Sequence, residues 1–209
     1  MIRNDGYPPV MEKLLRIQGG SSLEIGCNAC ENSIVLYYAT HFNHLEALDA
    51  QSEDQVLYTL NENLQKDGKQ PLKSIPELWV SCTSSPADTR ALITDVEMAT
   101  KLIDVQYGTS FEHYNPKLHR YDLIIMSNVL HYVKFQEDLD TILEKVSAVS
   151  DNATLFFISM KDGYPHTSPV LLKKRIDHVA KFADAQGLHR HQGAHTEREG
   201  DVIVFTNLV

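Results

Sequence analysis

Short apolar runs alternating with helical patterns constrain this chain more than any other feature. The clearest run is Tyr121-Asp122-Leu123-Ile124-Ile125-Met126-Ser127, near-continuous in its centre as a strand buried on both faces must be. Comparable runs lie at 21–26, 44–49, 102–107 and 153–160. Between them apolar residues recur at helical spacing, as in Ile34, Val35 and Tyr38, or Leu139, Ile142, Leu143 and Val146. Strands that alternate with helices pair in parallel, because each crossover returns the chain to the same end of the sheet. The tail differs: segments 188–195 and 201–208 flank Gly200 and read as a hairpin, which must be antiparallel. The expectation is an α/β protein with a doubly wound, mainly parallel seven-stranded sheet and a terminal antiparallel hairpin, in one domain over 1–209.

Local signals mark the helix ends. Pro8-Pro9 opens a helix carrying Val10, Leu14 and Ile17, and Gly19-Gly20 closes it. Ser52 and Gln55 form a capping-box pair ahead of Val56, Leu57, Leu60 and Leu64, with Gly68 beyond them. Ser85-Pro86 starts a helix with Leu92, Val96 and Ala99, and Ser168-Pro169 starts one with Leu172, Ile176 and Val179, closed by Gly187. Residues 66–101 are longer than an ordinary crossover and hold Pro71, Pro76, Pro86 and the one tryptophan, Trp79. They read as an insertion beside the sheet and a candidate lid.

The bulk numbers exclude several classes. With 43% hydrophobic and 22% charged residues, 209 residues can bury a real core. A net charge of −9 repels phosphate backbones, so nucleic acid is not an expected partner. Lys173-Lys174-Arg175 lies in a helical pattern and reads as a solvated face. Three cysteines argue against a disulfide framework and for a reducing compartment. The first residues hold no apolar core of signal-peptide length, and no run approaches the roughly 20 residues that span a bilayer. A cytoplasmic protein with no membrane partner is expected.

In a doubly wound sheet, ligands bind beyond the carboxyl ends of the strands, so the exit of strand one is the first place to look. Here it reads Gly26-Cys27-Asn28-Ala29-Cys30-Glu31. Gly26 suits a sharp turn, and Asn28 tolerates a left-handed backbone. A dinucleotide fingerprint would need glycines at 26, 28 and 31, and Glu31 would set a carboxylate against a pyrophosphate. A cationic ligand without phosphates meets no such conflict. Cys27 and Cys30 form a Cys-x-x-Cys, open in principle to redox chemistry or to half of a zinc site completed by Cys82, His189, His191 or His195. The strand-turn-helix context already accounts for the spacing, and no metal is expected.

Glu24-x-Gly26-x-Asn28-x-Cys30 resembles the acidic-x-Gly-x-Gly-x-Gly motif of class I S-adenosylmethionine-dependent methyltransferases, with Asn28 and Cys30 in glycine places. Asp49 stands at the end of strand two, about 20 residues on, where an acidic residue accepts hydrogen bonds from ribose hydroxyls. Arg120 to Val133 resembles the family's fourth strand and the loop after it, in members acting on small molecules. The resemblance implies a Rossmann-like methyltransferase domain with S-adenosyl-L-methionine as cofactor and a small-molecule acceptor. It implies that Glu24 orients the cofactor's amino group. Gly26, Cys27 and Asn28 line its methionine moiety, Asp49 takes the ribose, and Ala50 and Gln51 border the adenine. Thr109 and Phe111 approach the adenine from the end of strand three, and Ser127 and Asn128 face cofactor and acceptor. His131 is the candidate catalytic base, its ordinary pKa suiting proton removal near neutrality. A packing or capping role is the other reading of His131, and Tyr132 either shapes the pocket or is buried. Asp162, Tyr164 and His166 follow strand five, where this fold places substrate loops. The alternative to an enzyme is a catalytically impaired domain that binds the cofactor or a partner.

Overall fold

The computed structural model describes residues 20–34, 42–83, 96–127, 129–150, 155–159, 168–187, 189–192 and 202–206. The expected helix over 10–17, the start of the one at Ser85, and Asn128, Asp162, Tyr164, His166 and His195 lie outside them. In chain order the elements are β1 (Ser21–Ile25), β2 (His44–Asp49), α1 (Glu53–Lys66), α2 (Ile75–Thr83), α3 (Val96–Ala99), β3 (Ile103–Tyr107), β4 (Leu123–Ser127), α4 (Gln136–Ala148), β5 (Leu155–Ser159), α5 (Pro169–Ala185), β6 (His189–Gln192) and β7 (Val202–Thr206). Short 3₁₀ turns occupy Phe111–His113 and Val129–His131.

The sheet order is β3-β2-β1-β4-β5-β7-β6. β1 pairs in parallel with β2 on one side and with β4 on the other. β3 and β5 extend the parallel set, while β7 runs antiparallel to β5 and to β6. Strand order therefore reverses direction at β1, between β2 and β4, and the carboxyl ends of these strands share one rim. That rim is the switch point at which such sheets bind ligands.

Alternation along each strand divides the core in two. Leu45, Ala47, Leu123 and Ile125 face one layer, which holds Val56 of α1 and Ile75 and Trp79 of α2. Leu23, Ile25, Ile124 and Met126 face the other, against Leu139, Ile142, Leu143 and Val146 of α4 and Val179 of α5. Burial of side chains of this size stabilises each by about 1.5–3 kcal/mol. The caps also form. Ser52 and Gln55 make both bonds of a capping box, and Ser168 accepts from the Leu171 N–H with Pro169 in the first turn.

One expectation gains detail and one changes. In the described part of the 66–101 segment, Ile75 and Trp79 are 1% and 4% exposed, within the same core layer as β2 and β4. Asn61 of α1 fastens it with two hydrogen bonds, giving one to the Leu72 carbonyl at 2.9 Å and taking one from its N–H at 2.8 Å. Arg175 is not on a solvated face. It is buried, and Nη1 donates to the Leu130 carbonyl at 2.6 Å, pinning α5 to the turn after β4. Helical spacing sets Arg175 on the same stripe as Leu172 and Val179, and its guanidinium meets the carbonyl of a neighbouring turn there.

Candidate functional site

The turn after β1 is built from alternating left-handed residues. Gly26, Asn28 and Cys30 have φ of 70°, 49° and 57°. These are the three glycine places of the motif, so the backbone shape survives although two side chains have been added. An L-residue in this region costs roughly 1–2 kcal/mol, less for asparagine. Gly26 has a second constraint: a Cβ there would lie 2.5 Å from Cγ2 of Val129. The exits of β1 and β4 thus approach more closely than a side chain allows.

Bonds from several directions hold this strained turn. Gly26 and Cys27 N–H groups both donate to the Leu48 carbonyl, at 2.8 and 3.0 Å. The Asn28 N–H donates to Asp49 Oδ2 at 2.8 Å, and the Asn28 carbonyl accepts from the Tyr107 hydroxyl at 2.8 Å. The Trp79 indole N–H donates to the Ala29 carbonyl at 2.6 Å. β2 therefore binds three N–H groups of the turn, and β3 and α2 one carbonyl each. This is why Trp79 is buried with its one polar atom satisfied.

Below the turn, Glu24 is wholly buried. It accepts from Asn32 Nδ2 at 2.8 Å, from the Ser33 N–H at 3.1 Å and from Ser33 Oγ at 2.5 Å. Burial pushes its carboxyl up to about 7, against the pull of the Ser33 and Asn32 hydrogen bonds. Its side chain braces the helical turn at 31–34 and is not among the residues that line the cavity above.

That cavity has a volume of about 500 Å³, within the range of small-molecule sites. Its wall includes Gly26, Cys27, Asn28, Asp49 and Ala50, five of the expected site residues, together with Gln51. Asp49 is mostly buried, and its oxygens accept from the Asn28 and Gln51 N–H groups, both at 2.8 Å. A carboxylate has about four acceptor positions, so capacity remains for a ligand. Thr109 does not line the cavity; its N–H donates to the Asp49 carbonyl at 3.0 Å and zips the β3 exit to the β2 exit. Phe111 is buried in the opposite core layer and lies off the wall as well. Ser127 ends β4.

His131 is buried at 6% exposure and is not in the wall, whereas the next residue, Tyr132, lines it and is 61% exposed. His131 is the last residue of the 3₁₀ turn and Tyr132 the first beyond it, so the two side chains leave the chain in different directions. Glu31, Asn32, Ala29, Leu60, Asn63 and Val129 complete the lining. Leu60 and Asn63 are the additions that come from α1. Their signal was present in the sequence: Asn63 interrupts the apolar stripe Val56, Leu60 at helical spacing.

The residues of the wall include the acidic Glu31 and Asp49 and, among the described residues, no lysine, arginine or histidine. Cys27 is buried beside Cys30 and both are free thiols; the Cys30 hydrogen bond and then burial push the Cys27 thiol upward, away from the reactive thiolate. Among the described residues no group of three or more His, Cys, Asp or Glu side chains could hold a metal, and no helix is long and apolar enough to cross a membrane.

No family model and no curated protein matches the sequence. Solved structures do match the fold. The methyltransferase domain of bacterial CtHen1-CN has a TM-score of 0.56 at 14% identity, over 95% of this chain and 96% of that one. The N-methyltransferase NodS from Bradyrhizobium japonicum WM9, solved with S-adenosyl-L-homocysteine, gives 0.53 at 14%, over 97% and 87%. An O-methyltransferase from neocarzinostatin biosynthesis, solved with S-adenosyl-L-homocysteine and 1,4-dihydroxy-2-naphthoic acid, gives 0.52 at 12%, over 98% of this chain and 54% of that one. This chain has the class I methyltransferase fold. At these identities the likeness is one of architecture, and the methyltransferase-type sheet places the cavity at the rim where β1, β2 and β4 end.

Proposed function

We propose that this protein transfers a methyl group from S-adenosyl-L-methionine to a small-molecule acceptor. The carrying observation is the cavity over Gly26 and Asp49, whose described lining has two acidic residues and no basic one. A phosphate-bearing cofactor would meet repulsion there, while a positively charged sulfonium fits. The reading takes the strands as a complete seven-stranded methyltransferase sheet with its terminal hairpin. Bound S-adenosylmethionine supplies an electrophilic methyl group on that sulfur.

The chain's own residues supply binding and orientation. Asp49 accepts from the ribose hydroxyls with its remaining lone pairs, while its existing backbone bonds hold the carboxylate in place. Gly26, Cys27 and Asn28 border the methionine part, with Ala50 and Gln51 near the adenine. Glu24 acts through the turn it braces. Tyr132, at the open side, borders the acceptor, and a role facing cofactor and acceptor is proposed for Ser127 and Asn128 from their position in the sequence. Holding the nucleophile in line with the methyl group in a partly water-excluded site provides much of the rate. His131 takes up a proton only if the turn carrying it rotates toward the cavity. The cytoplasm is the proposed location.

Isothermal titration with S-adenosylmethionine tests the reading. Saturable heat at micromolar ligand supports it, and no heat at high micromolar ligand with a folded protein sinks it. A second reading, a binding domain without turnover, draws on the burial of His131 off the cavity wall. It predicts binding with no S-adenosylhomocysteine formed in the presence of a metabolite extract.

A further inference from the structure

We infer that Glu31 makes this cavity selective for charge, so that it holds the sulfonium substrate more tightly than the thioether product. The inference rests on the methyltransferase reading and deepens it. Glu31 is half-buried on the cavity wall, directly after the left-handed Cys30. It differs from the two other acidic groups nearby. Glu24 spends its oxygens on Asn32 and Ser33 beneath the turn. Asp49 has both oxygens bonded to backbone N–H groups, which disperses its charge into the turn. The wall offers no basic side chain among the described residues to balance Glu31.

Methyl transfer breaks the sulfur–methyl bond and forms a bond from the methyl carbon to the nucleophile. The electron pair of the broken bond stays on sulfur, which loses its positive charge, and the nucleophile sheds its proton to solvent or buffer. The two ligands therefore have nearly the same shape and differ by one unit of charge. One carboxylate on the wall of such a cavity, at an intermediate dielectric, would separate them by about five- to ten-fold in affinity. Glu31 thus lets the product leave while recruiting the next cofactor.

The test is calorimetric titration of S-adenosylmethionine and S-adenosylhomocysteine into the wild-type protein, Glu31→Gln and Glu31→Asp, at low and high salt. The wild type is expected to prefer the sulfonium. Glu31→Gln should lose most of that preference through weaker sulfonium binding, with thioether affinity changed less than about two-fold. Glu31→Asp should retain it, and salt should shrink the wild-type ratio. A carboxylate that only supports the helix start would weaken both ligands equally, or neither. Binding of both ligands with a ratio that is insensitive to salt and to Glu31→Gln overturns the inference and leaves the methyltransferase reading standing. Binding of neither by the folded wild type overturns both. Should Glu31→Gln fold poorly, the salt dependence of the wild-type ratio and the Glu31→Asp variant decide.

Discussion

Glu24 and Glu46 sit on neighbouring strands, on opposite faces of the sheet, and both are wholly buried. Their environments drive them apart. Glu24, under the cavity turn, is pushed up to about 7 because burial outweighs its bonds to Ser33 and Asn32. Glu46 feels burial too, but four donors outweigh it and hold its carboxyl below the usual range. The Tyr114 and Tyr121 hydroxyls each donate to it at 2.6 Å, His44 Nε2 lies 3.1 Å away, and the Lys117 N–H donates at 3.1 Å. Hydroxyls from both ends of the 114–121 loop make Glu46 the centre that holds it against β2. Burial alone does not set the charge of a carboxyl group; the number and kind of donors do. One face of the sheet uses its carboxyl to anchor a loop, and the other leaves one poised under a binding turn.

The sharpest way to break this contrast is Glu46→Leu. It strands two tyrosine hydroxyls, an imidazole and a backbone N–H, and should lower unfolding free energy by about 3–5 kcal/mol in urea titrations. A loss under about 1 kcal/mol would show that the network relaxes and that Glu46 is no anchor.

Next in size is the dependence on pH, which has opposite signs at the two sites. The folded state holds the Glu24 proton more tightly than the unfolded chain does. Its contribution is fully present below about pH 4.5 and is lost as pH rises through about 7. That loss amounts to about 3 kcal/mol at most. Glu46, being lowered, contributes stability above the ordinary carboxylate range that is lost as pH falls through its own lower value. Urea midpoints measured from pH 4 to 8 should therefore fall less steeply in Glu24→Gln than in the wild type. A Glu24→Gln profile parallel to the wild type would mean that Glu24 does not titrate there.

Asp49→Ala probes the cavity itself. Loss of charge-assisted bonds to the ribose should weaken S-adenosylmethionine by about 1.5–3 kcal/mol in calorimetry. Since Asp49 also fixes Asn28 and Gln51, some of this loss comes from the turn. Unchanged affinity would place the ribose partner elsewhere. The smallest effect belongs to Asn28, an exposed residue at φ 49°. Asn28→Ala should cost about 1 kcal/mol of stability and Asn28→Gly close to nothing, because only the backbone conformation is at stake. Equal melting temperatures for both variants would mean that the turn changes shape when substituted.

Much of this is legible in the sequence. Alternation of apolar runs with helical stripes marks β1, β2, β4 and α4, because burial demands a period that sequence displays directly. Ser52, Gln55 and Ser168 announce their caps through local hydrogen bonds a few residues long. Asp49 and Glu31 were placed at the rim by their distance from a strand end. The direction in which Tyr132 and His131 point was not legible, since a 3₁₀ turn and an α-helix share composition while differing in angle per residue. Nor was the hydrogen-bond partner of Arg175, a carbonyl 45 residues away.

The amino-acid sequence by itself determined the layered α/β architecture, the turn after β1 and the negative charge at its mouth, all consequences of local pattern and residue type. Tertiary structure alone decided that Cys30 takes up a glycine-like backbone angle, that Trp79 is a brace and that the carboxyl groups of Glu24 and Glu46 are shifted in opposite directions. Those outcomes rest on partners brought from distant segments, and free energies of hydrogen bonding and desolvation depend on which groups meet, not on how the chain is spelled.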